Sequence, residues 1–252
     1  MPSRLIRKLE AFVPLTEAEK TLVSDVERNV RTVAPKTDLI TEGDSPENVL
    51  LIVEGFACRY KITSEGQRQI MAYLVPGDFC DLHIFILKEM DHSISTLSAC
   101  KVVEIPRKRV LEMLKTPALA TALWSATLVD EATLREWLVN IGTREAPQRI
   151  GHLLCELLLR LHVVGLVSEG RFELPITQAE IADTMGLSAI HANRSIQVLR
   201  EADLITLARG HVVILDFKRL AAFSGFNPNY LHLRNQAEAG IGAIPQNAAI
   251  SF

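Results

Sequence analysis

The spacing of apolar residues changes character three times along the chain. Thr16, with Glu19 three residues on and Leu22 and Val26 beyond, is a capping-box start for a short helix. From about Thr32 to Ile105 the apolar residues fall instead into short β-prone runs, 49–53, 70–75 and 102–105, bounded by turn residues. Gly43, Gly55, Gly66 and Gly77 punctuate this region at intervals of 12, 11 and 11 residues. Short strands at that spacing predict an antiparallel sandwich or barrel, with glycine supplying the positive φ of its tight turns.

After Pro106 the period becomes helical. Ala120, Trp124, Thr127, Glu131, Leu134, Leu138 and Ile141 recur at alternating steps of four and three, an imperfect heptad seam on a helix over 116–141. Such a helix is about 39 Å long and needs a partner along its length, either its own sandwich or its twin in a homodimer. A second helix over 146–164 carries Ile150, Leu153, Leu154, Leu157, Leu158 and Leu161 on one broad face, and Gly142-Thr143 reads as a hinge between the two.

The stretch 174–204 holds the candidate chemistry. Thr177 and Glu180 form a second capping-box pair, opening a short helix with Ile181, Ala182 and Met185 inward. Gly186 stops that helix by accepting a left-handed conformation. Ser188 caps the next one, which runs to about Glu201 with Ala192, Ile196 and Leu199 buried. Helix, glycine turn and second helix in this span form a helix-turn-helix pattern, although an ordinary helical corner shares its apolar positions. The outer face of the second helix tips the balance. Ala189, Ile190, His191, Asn193, Arg194 and Gln197 offer planar hydrogen-bonding groups suited to base edges and phosphates, where a merely solvated face would be rich in Glu and Lys. Residues 204–215 then read as a hairpin turning at Arg209-Gly210, a wing whose tip places Arg209 and His211 for phosphates.

Composition narrows this picture. The chain has 252 residues, 48% hydrophobic and 23% charged, enough for one large domain or two ordinary ones. Its 27 Lys and Arg against 30 Asp and Glu make it no polycation. The balance is −3 over 1–142 and +1 over 143–236, so any DNA contact must come from a local patch and a shaped element. Cys58, Cys80, Cys100 and Cys155 lie far apart without a CxxC pair, against a structural zinc site or a disulfide framework. The opening MPSRLIRKLEAF lacks the apolar core of a signal peptide. The longest apolar stretch, 153–167, is interrupted by Glu156 and Arg160, which argues against a membrane span. A reduced cytoplasmic protein is the expectation. No Walker loop, nucleophile elbow or HExxH motif supports catalysis.

From about Val13 to Leu220 the chain resembles the Crp/Fnr family of bacterial transcription regulators. The run ITQAEIADTMGLSAIHANRSIQVLREADLI carries most of the resemblance, supported by Pro76-Gly77-Asp78-Phe79 and the segment ACKVVEI at 99–105. It implies an α+β architecture: a double-stranded β-helix (β-roll) sensor domain over 1–115, of the cyclic-nucleotide-binding type, a dimerisation helix over 116–142, and a winged helix-turn-helix over 143–235. Residues 236–252 are read as a disordered tail. It also implies a homodimer on a pseudo-palindromic double-stranded DNA operator, with RNA polymerase as a further partner. Arg194 matches the family's base-reading arginine, and Thr177, Gln178 and Ser188 match positions that grip phosphate in relatives. The usual Glu of the recognition helix falls on Ile190 and a frequent Arg on Ala189, so a different half-site is expected. In that site Ile190 meets a thymine methyl while His191 or Asn193 contacts a base edge or phosphate.

The sensor region departs further from the family. Nucleotide-binding relatives carry Gly-Glu after the Gly-Asp-Phe turn and Arg-Ser or Arg-Thr on the next segment. Here Cys80-Asp81-Leu82-His83 and Met90-Asp91-His92-Ser93 stand there, with carboxylates that repel a cyclic phosphate and no matching arginine. The iron–sulfur branch needs four thiolates from an N-terminal cysteine cluster, and the first cysteine here is Cys58. No cofactor is expected. Cys80, Asp81, His83 and His92 remain as a weaker metal, haem or thiol sensor, and Cys58, Cys100 and Cys155 as core. Lys101 and Arg107-Lys108-Arg109, a basic run at the strand–helix junction, are read as solvated, with DNA or polymerase contact as their alternative. The rival function is a small-ligand module whose C-terminal domain contacts protein instead of DNA.

Overall fold

The computed structural model describes residues 2–82, 86 and 89–233. Its chain divides into two compact units, Met1–Ala132 and Thr133–Phe252. His83 of the expected sensor group and the expected tail 236–252 lie outside the described residues.

The first unit opens with a helix the apolar pattern did not announce. Ser3 caps α1 (Arg4–Glu10), which buries Leu5, Ile6 and Leu9. Arg4 donates to the Val53 carbonyl at 2.7 Å, and Lys8 pairs with Asp78. Thr16 and Glu19 then form the expected capping box of α2 (Glu17–Val26). Seven strands follow: β1 (Val30–Val33), β2 (Asp38–Ile40), β3 (Asn48–Glu54), β4 (Ala57–Ile62), β5 (Arg68–Leu74), β6 (Ser93–Thr96) and β7 (Cys100–Pro106). They pair antiparallel into two sheets, ordered β1-β7-β3 and β2-β6-β4-β5, which form the β-roll. Leu51, Ile52, Phe79, Ile94, Val102 and Val103 belong to the apolar core of this unit.

All four punctuating glycines adopt positive φ. Gly55 shows why glycine is required: at φ +85°, an added Cβ would lie 2.3 Å from the Ala99 carbonyl oxygen and 2.8 Å from Cys100 Sγ. Left-handed strain and a backbone clash then add. Gly55→Ala is therefore expected to destabilise the β-roll by about 2–3 kcal/mol, read from the midpoint of urea unfolding.

Arg107–Arg109 open α3 (Arg107–Met113), where all three are exposed. The long helix is α4 (Pro117–Thr143), 27 residues. The expected hinge at Gly142-Thr143 is absent, because α4 continues through both residues and the Thr143 hydroxyl donates back to the Val139 carbonyl. The break falls at Arg144-Glu145, before Pro147 in the first turn of α5 (Ala146–Val163). Of the expected seam, Trp124, Glu131, Leu134 and Leu138 are exposed, while Ala120, Thr127 and Ile141 are half-buried. In the first unit α4 turns Leu119, Ala122, Leu123 and Ala126 inward and leaves Thr121, Trp124, Leu128 and Glu131 exposed. Leu128 thus takes the place expected for Thr127, whose hydroxyl donates to the Leu123 carbonyl. On its stretch in the second unit Leu134, Leu138 and Val139 are exposed, while Ala132, at the end of the first, and Trp137 are buried.

The second unit comprises α5, β8 (Arg171–Glu173), α6 (Gln178–Met185), α7 (Ala189–Glu201), β9 (Ile205–Ala208), β10 (His211–Ile214), α8 (Phe217–Ser224) and a 3-10 turn at Pro228–Leu231. Its sheet is ordered β8-β10-β9. Gly151 lets α5 approach α8 closely, since a Cβ there would meet Leu220 and Ser224 at 3.2 Å. Beneath lies a buried polar cluster. Glu156, fully buried, accepts from Trp137 Nε1 at 2.8 Å, the Tyr230 hydroxyl at 2.9 Å and Arg160 at 3.0 Å. Beside it, buried His152 packs against the rings of Phe226 and Tyr230.

Candidate nucleic-acid interface

The helix pair α6–α7 is set by local chemistry at three points. Thr177 Oγ1 accepts from the Glu180 N–H at 3.2 Å and donates to the Glu180 carboxylate, which also accepts from the Thr177 N–H at 2.6 Å. Gly186 ends α6 in the left-handed region at φ +63°. Ser188 then accepts from the His191 N–H at 3.2 Å and starts α7. Ile181, Ala182 and Met185 of α6 and Ala192, Ile196 and Leu199 of α7 are buried, as the apolar pattern predicts.

That burial fixes the outward face of α7. Ala189, Ile190, His191, Asn193, Arg194 and Gln197 are all exposed, Ile190 to 70%. Ile190 thus sets an apolar surface beside Arg194 on the outer face of α7. Arg194 makes no hydrogen bond or ion pair with the described residues, so its five donors face solvent unspent. Two of the other outer groups are already engaged. Asn193 Nδ2 donates to Gln178 Oε1 at 2.8 Å, and Gln197 Nε2 donates to Glu201 at 3.0 Å. Thr177 spends its hydroxyl proton inside the capping box, whereas the Ser188 hydroxyl, an acceptor in its cap, keeps its own proton for donation.

The hairpin turns where expected. Arg209 and Gly210 both have positive φ, +50° and +75°, the two-residue geometry that matches strand twist. His211 pairs with Ala208 in the register, and its Nδ1 lies 3.1 Å from the Arg209 carbonyl oxygen. Arg209 is exposed and His211 half-buried, so the tip presents one free cation and one imidazole edge.

Arg59 on β4 donates to the carbonyls of Phe79 at 3.3 Å and Cys80 at 2.8 Å, and to Asp130 of α4 at 2.9 Å. Burial pulls its pKa down, and Asp130 more than reverses that, so the guanidinium stays charged. Sequence reasoning missed this arginine because its partner lies 71 residues away. Of the expected sensor residues, Cys80, Asp81 and His92 are described. Cys80 and Asp81 are buried, and burial pushes the Cys80 thiol well up, away from reactivity. His92 lies with Nδ1 2.7 Å from Asp91 and Nε2 3.9 Å from Asp81, and its hydrogen bond lowers the pKa of Asp91. Among the described residues no three His, Cys, Asp or Glu side chains converge as metal ligands. Cys58, Cys100 and Cys155 are buried, as expected of core residues.

Known proteins share both parts of this geometry. Residues 148–223 match the model of the Crp-like helix-turn-helix domain and residues 30–117 that of the cyclic nucleotide-binding domain. The transcriptional activator protein FnrL of Cereibacter sphaeroides is 30% identical over 194 residues, 74% of this chain and 77% of that one. The nitrogen fixation regulation protein FixK of Azorhizobium caulinodans is 26% identical over 183 residues, 72% and 73% of the two chains. Among solved structures, FixK2 from Bradyrhizobium japonicum superposes with a TM-score of 0.68 at 21% identity, covering 77% of this chain and 96% of its own.

Proposed function

Because the chain belongs to the Crp/Fnr family of transcription regulators, we propose that it acts as a homodimer that lays α7 of each copy into successive major grooves of a pseudo-palindromic operator. Half-sites about one helical turn apart, 34–36 Å, follow from that symmetry. The observation that carries the reading is Arg194, exposed on α7 with its donors unspent. A guanidinium in that position pairs bidentately with guanine O6 and N7. Ile190 beside it fits a thymine methyl, and His191 a base edge or phosphate. Ser188, Gln178, Arg209 and His211 flank these readers as phosphate contacts, with Thr177 and Ala189 at the helix starts and Gln197 farther along the face.

The self-contact is assigned to α4, whose exposed Trp124, Leu128, Leu134 and Leu138 are the apolar groups a twin helix would cover. In this reading residues 1–115 form the sensor domain, 116–142 the dimer helix and 143–235 the DNA-binding domain. Regulation of transcription in turn makes RNA polymerase a partner and the cytoplasm its site. No helix among the described residues is long and apolar enough to cross a membrane. Family membership favours regulation over a module that contacts only protein, and it gives no support to an enzyme.

Selection of bound duplexes from a random pool, followed by footprinting, tests the proposal. Two protected half-sites related by two-fold symmetry are expected. Arg194→Ala is expected to cost about 1–3 kcal/mol of discrimination at one symmetric base pair. Equal weakening on every sequence would make Arg194 a phosphate contact, and protection without two-fold symmetry would remove the dimeric reading.

A further inference from the structure

The hydrogen bond between Asn193 and Gln178 carries a consequence for how the operator is read. It joins the first helix of the pair to the second, 15 residues apart in sequence, through two exposed side chains. At about 100° per residue on an α-helix, Ile190, Arg194, Gln197 and Glu201 share the outermost strip of α7. Asn193 falls on one flank of that strip, on the side of α6, and His191 on the other. A short side chain on the flank, already donating to α6, is badly placed for a base edge beneath the middle of the helix. It is well placed at the edge of the groove, where the backbone runs.

We propose that Asn193 and Gln178 work as one amide clamp on the DNA backbone and that Asn193 is a positioning residue, leaving sequence choice to Ile190 and Arg194 on the outermost strip. The chemistry of the pair is directional. One N–H of Asn193 is consumed by Gln178 Oε1, so the Gln178 amide keeps both of its N–H donors at the first residue of α6. Those donors suit a phosphate oxygen, and the bond to Asn193 holds them in place. The ligand class is a phosphodiester, recognised without regard to the base attached.

This inference rests on the DNA-binding reading above, and its test separates the two. The full-length protein selects its preferred duplex from a random pool. Wild type, Gln178→Ala, Asn193→Ala and the double variant are then titrated, at several salt concentrations, against that duplex and its single-base-pair variants. Both residues are exposed, and thermal melting of each variant checks that the fold is kept. Each single substitution is expected to weaken binding about threefold to tenfold on every duplex, leaving the order of base preferences intact. The double variant is expected to lie within about twofold of the weaker single one, because the two side chains form one contact. Loss of preference at one symmetric base pair in Asn193→Ala would make it a base reader and overturn the clamp. Multiplying effects in the double variant would overturn the coupling. Absence of any enriched duplex for the wild type would remove the sequence-specific reading beneath the clamp, and the clamp with it.

Discussion

Glu156→Leu is expected to cost the second unit about 3–5 kcal/mol, the range for removing one partner from a buried charged cluster. The carboxylate is fully buried and serves three donors from three parts of the chain: the Trp137 indole on α4, Arg160 one turn along α5, and the Tyr230 hydroxyl on the 3-10 turn. Leucine fills much the same space but accepts nothing. It leaves the buried Tyr230 hydroxyl in apolar surroundings and takes the i−4 carboxylate from Arg160. Glu156→Gln separates acceptor loss from charge loss. Its carbonyl can still serve Trp137 and Tyr230, while its NH2 faces the Arg160 donors, so a smaller cost of about 1–2 kcal/mol is expected. Urea unfolding followed by tryptophan fluorescence, in a Trp124→Phe background so that Trp137 alone reports, reads both variants. Equal, small losses for Leu and Gln would show that the cluster contributes no net stability. Since α7 is carried by the same unit, the Leu variant is also expected to lose DNA binding at temperatures where the wild type keeps it.

Legibility in the sequence followed the range of the interaction. Thr16 with Glu19, Thr177 with Glu180, and Ser188 with the His191 N–H act within three residues, and all were readable as spacings. The Arg209-Gly210 turn and the positive φ of the punctuating glycines were readable for the same reason. The exposed strip of α7 followed from its apolar period, which places Arg194 outside once Ala192, Ile196 and Leu199 are inside. Contacts set by packing were invisible. Arg59 looked like one more polar residue in a strand until Asp130 gave it a partner. The exposed strip of α4 shifted from Thr127 to Leu128 because the inward face is chosen by the rest of the unit. Glu156 and Arg160, which in the sequence only interrupt an apolar run, are paired at 3.0 Å in the structure.

His152 should make the second unit sensitive to acid. Burial, with a smaller contribution from Arg144, lowers its pKa from 6.5 to about 3. Neither ring nitrogen has a hydrogen-bond partner. Nε2 lies 3.1 Å from Glu136 Oε1, but Arg144 already donates to that same oxygen at 2.8 Å, so little negative charge is left to hold an imidazolium. Glu156, one turn along α5, is engaged by its three donors, and the Tyr230 ring stacks on the imidazole at 6.0 Å. Between pH 6.5 and about 3 the unfolded chain therefore binds a proton that the folded chain refuses. Stability is unaffected by this group above about pH 6.5 and falls as the pH drops below it, by about 1.4 kcal/mol per unit, until the folded pKa is reached. At pH 5 the accumulated loss is about 2 kcal/mol. Every other acid-titrating group is shared with His152→Leu, so the difference between the two unfolding free energies isolates the histidine. Urea titrations at pH 7, 6 and 5 are expected to show the Leu variant gaining on the wild type at each step down. A difference that stays constant across those three values would mean that His152 takes up its proton inside the folded unit, with Glu136 rather than Arg144 setting its charge.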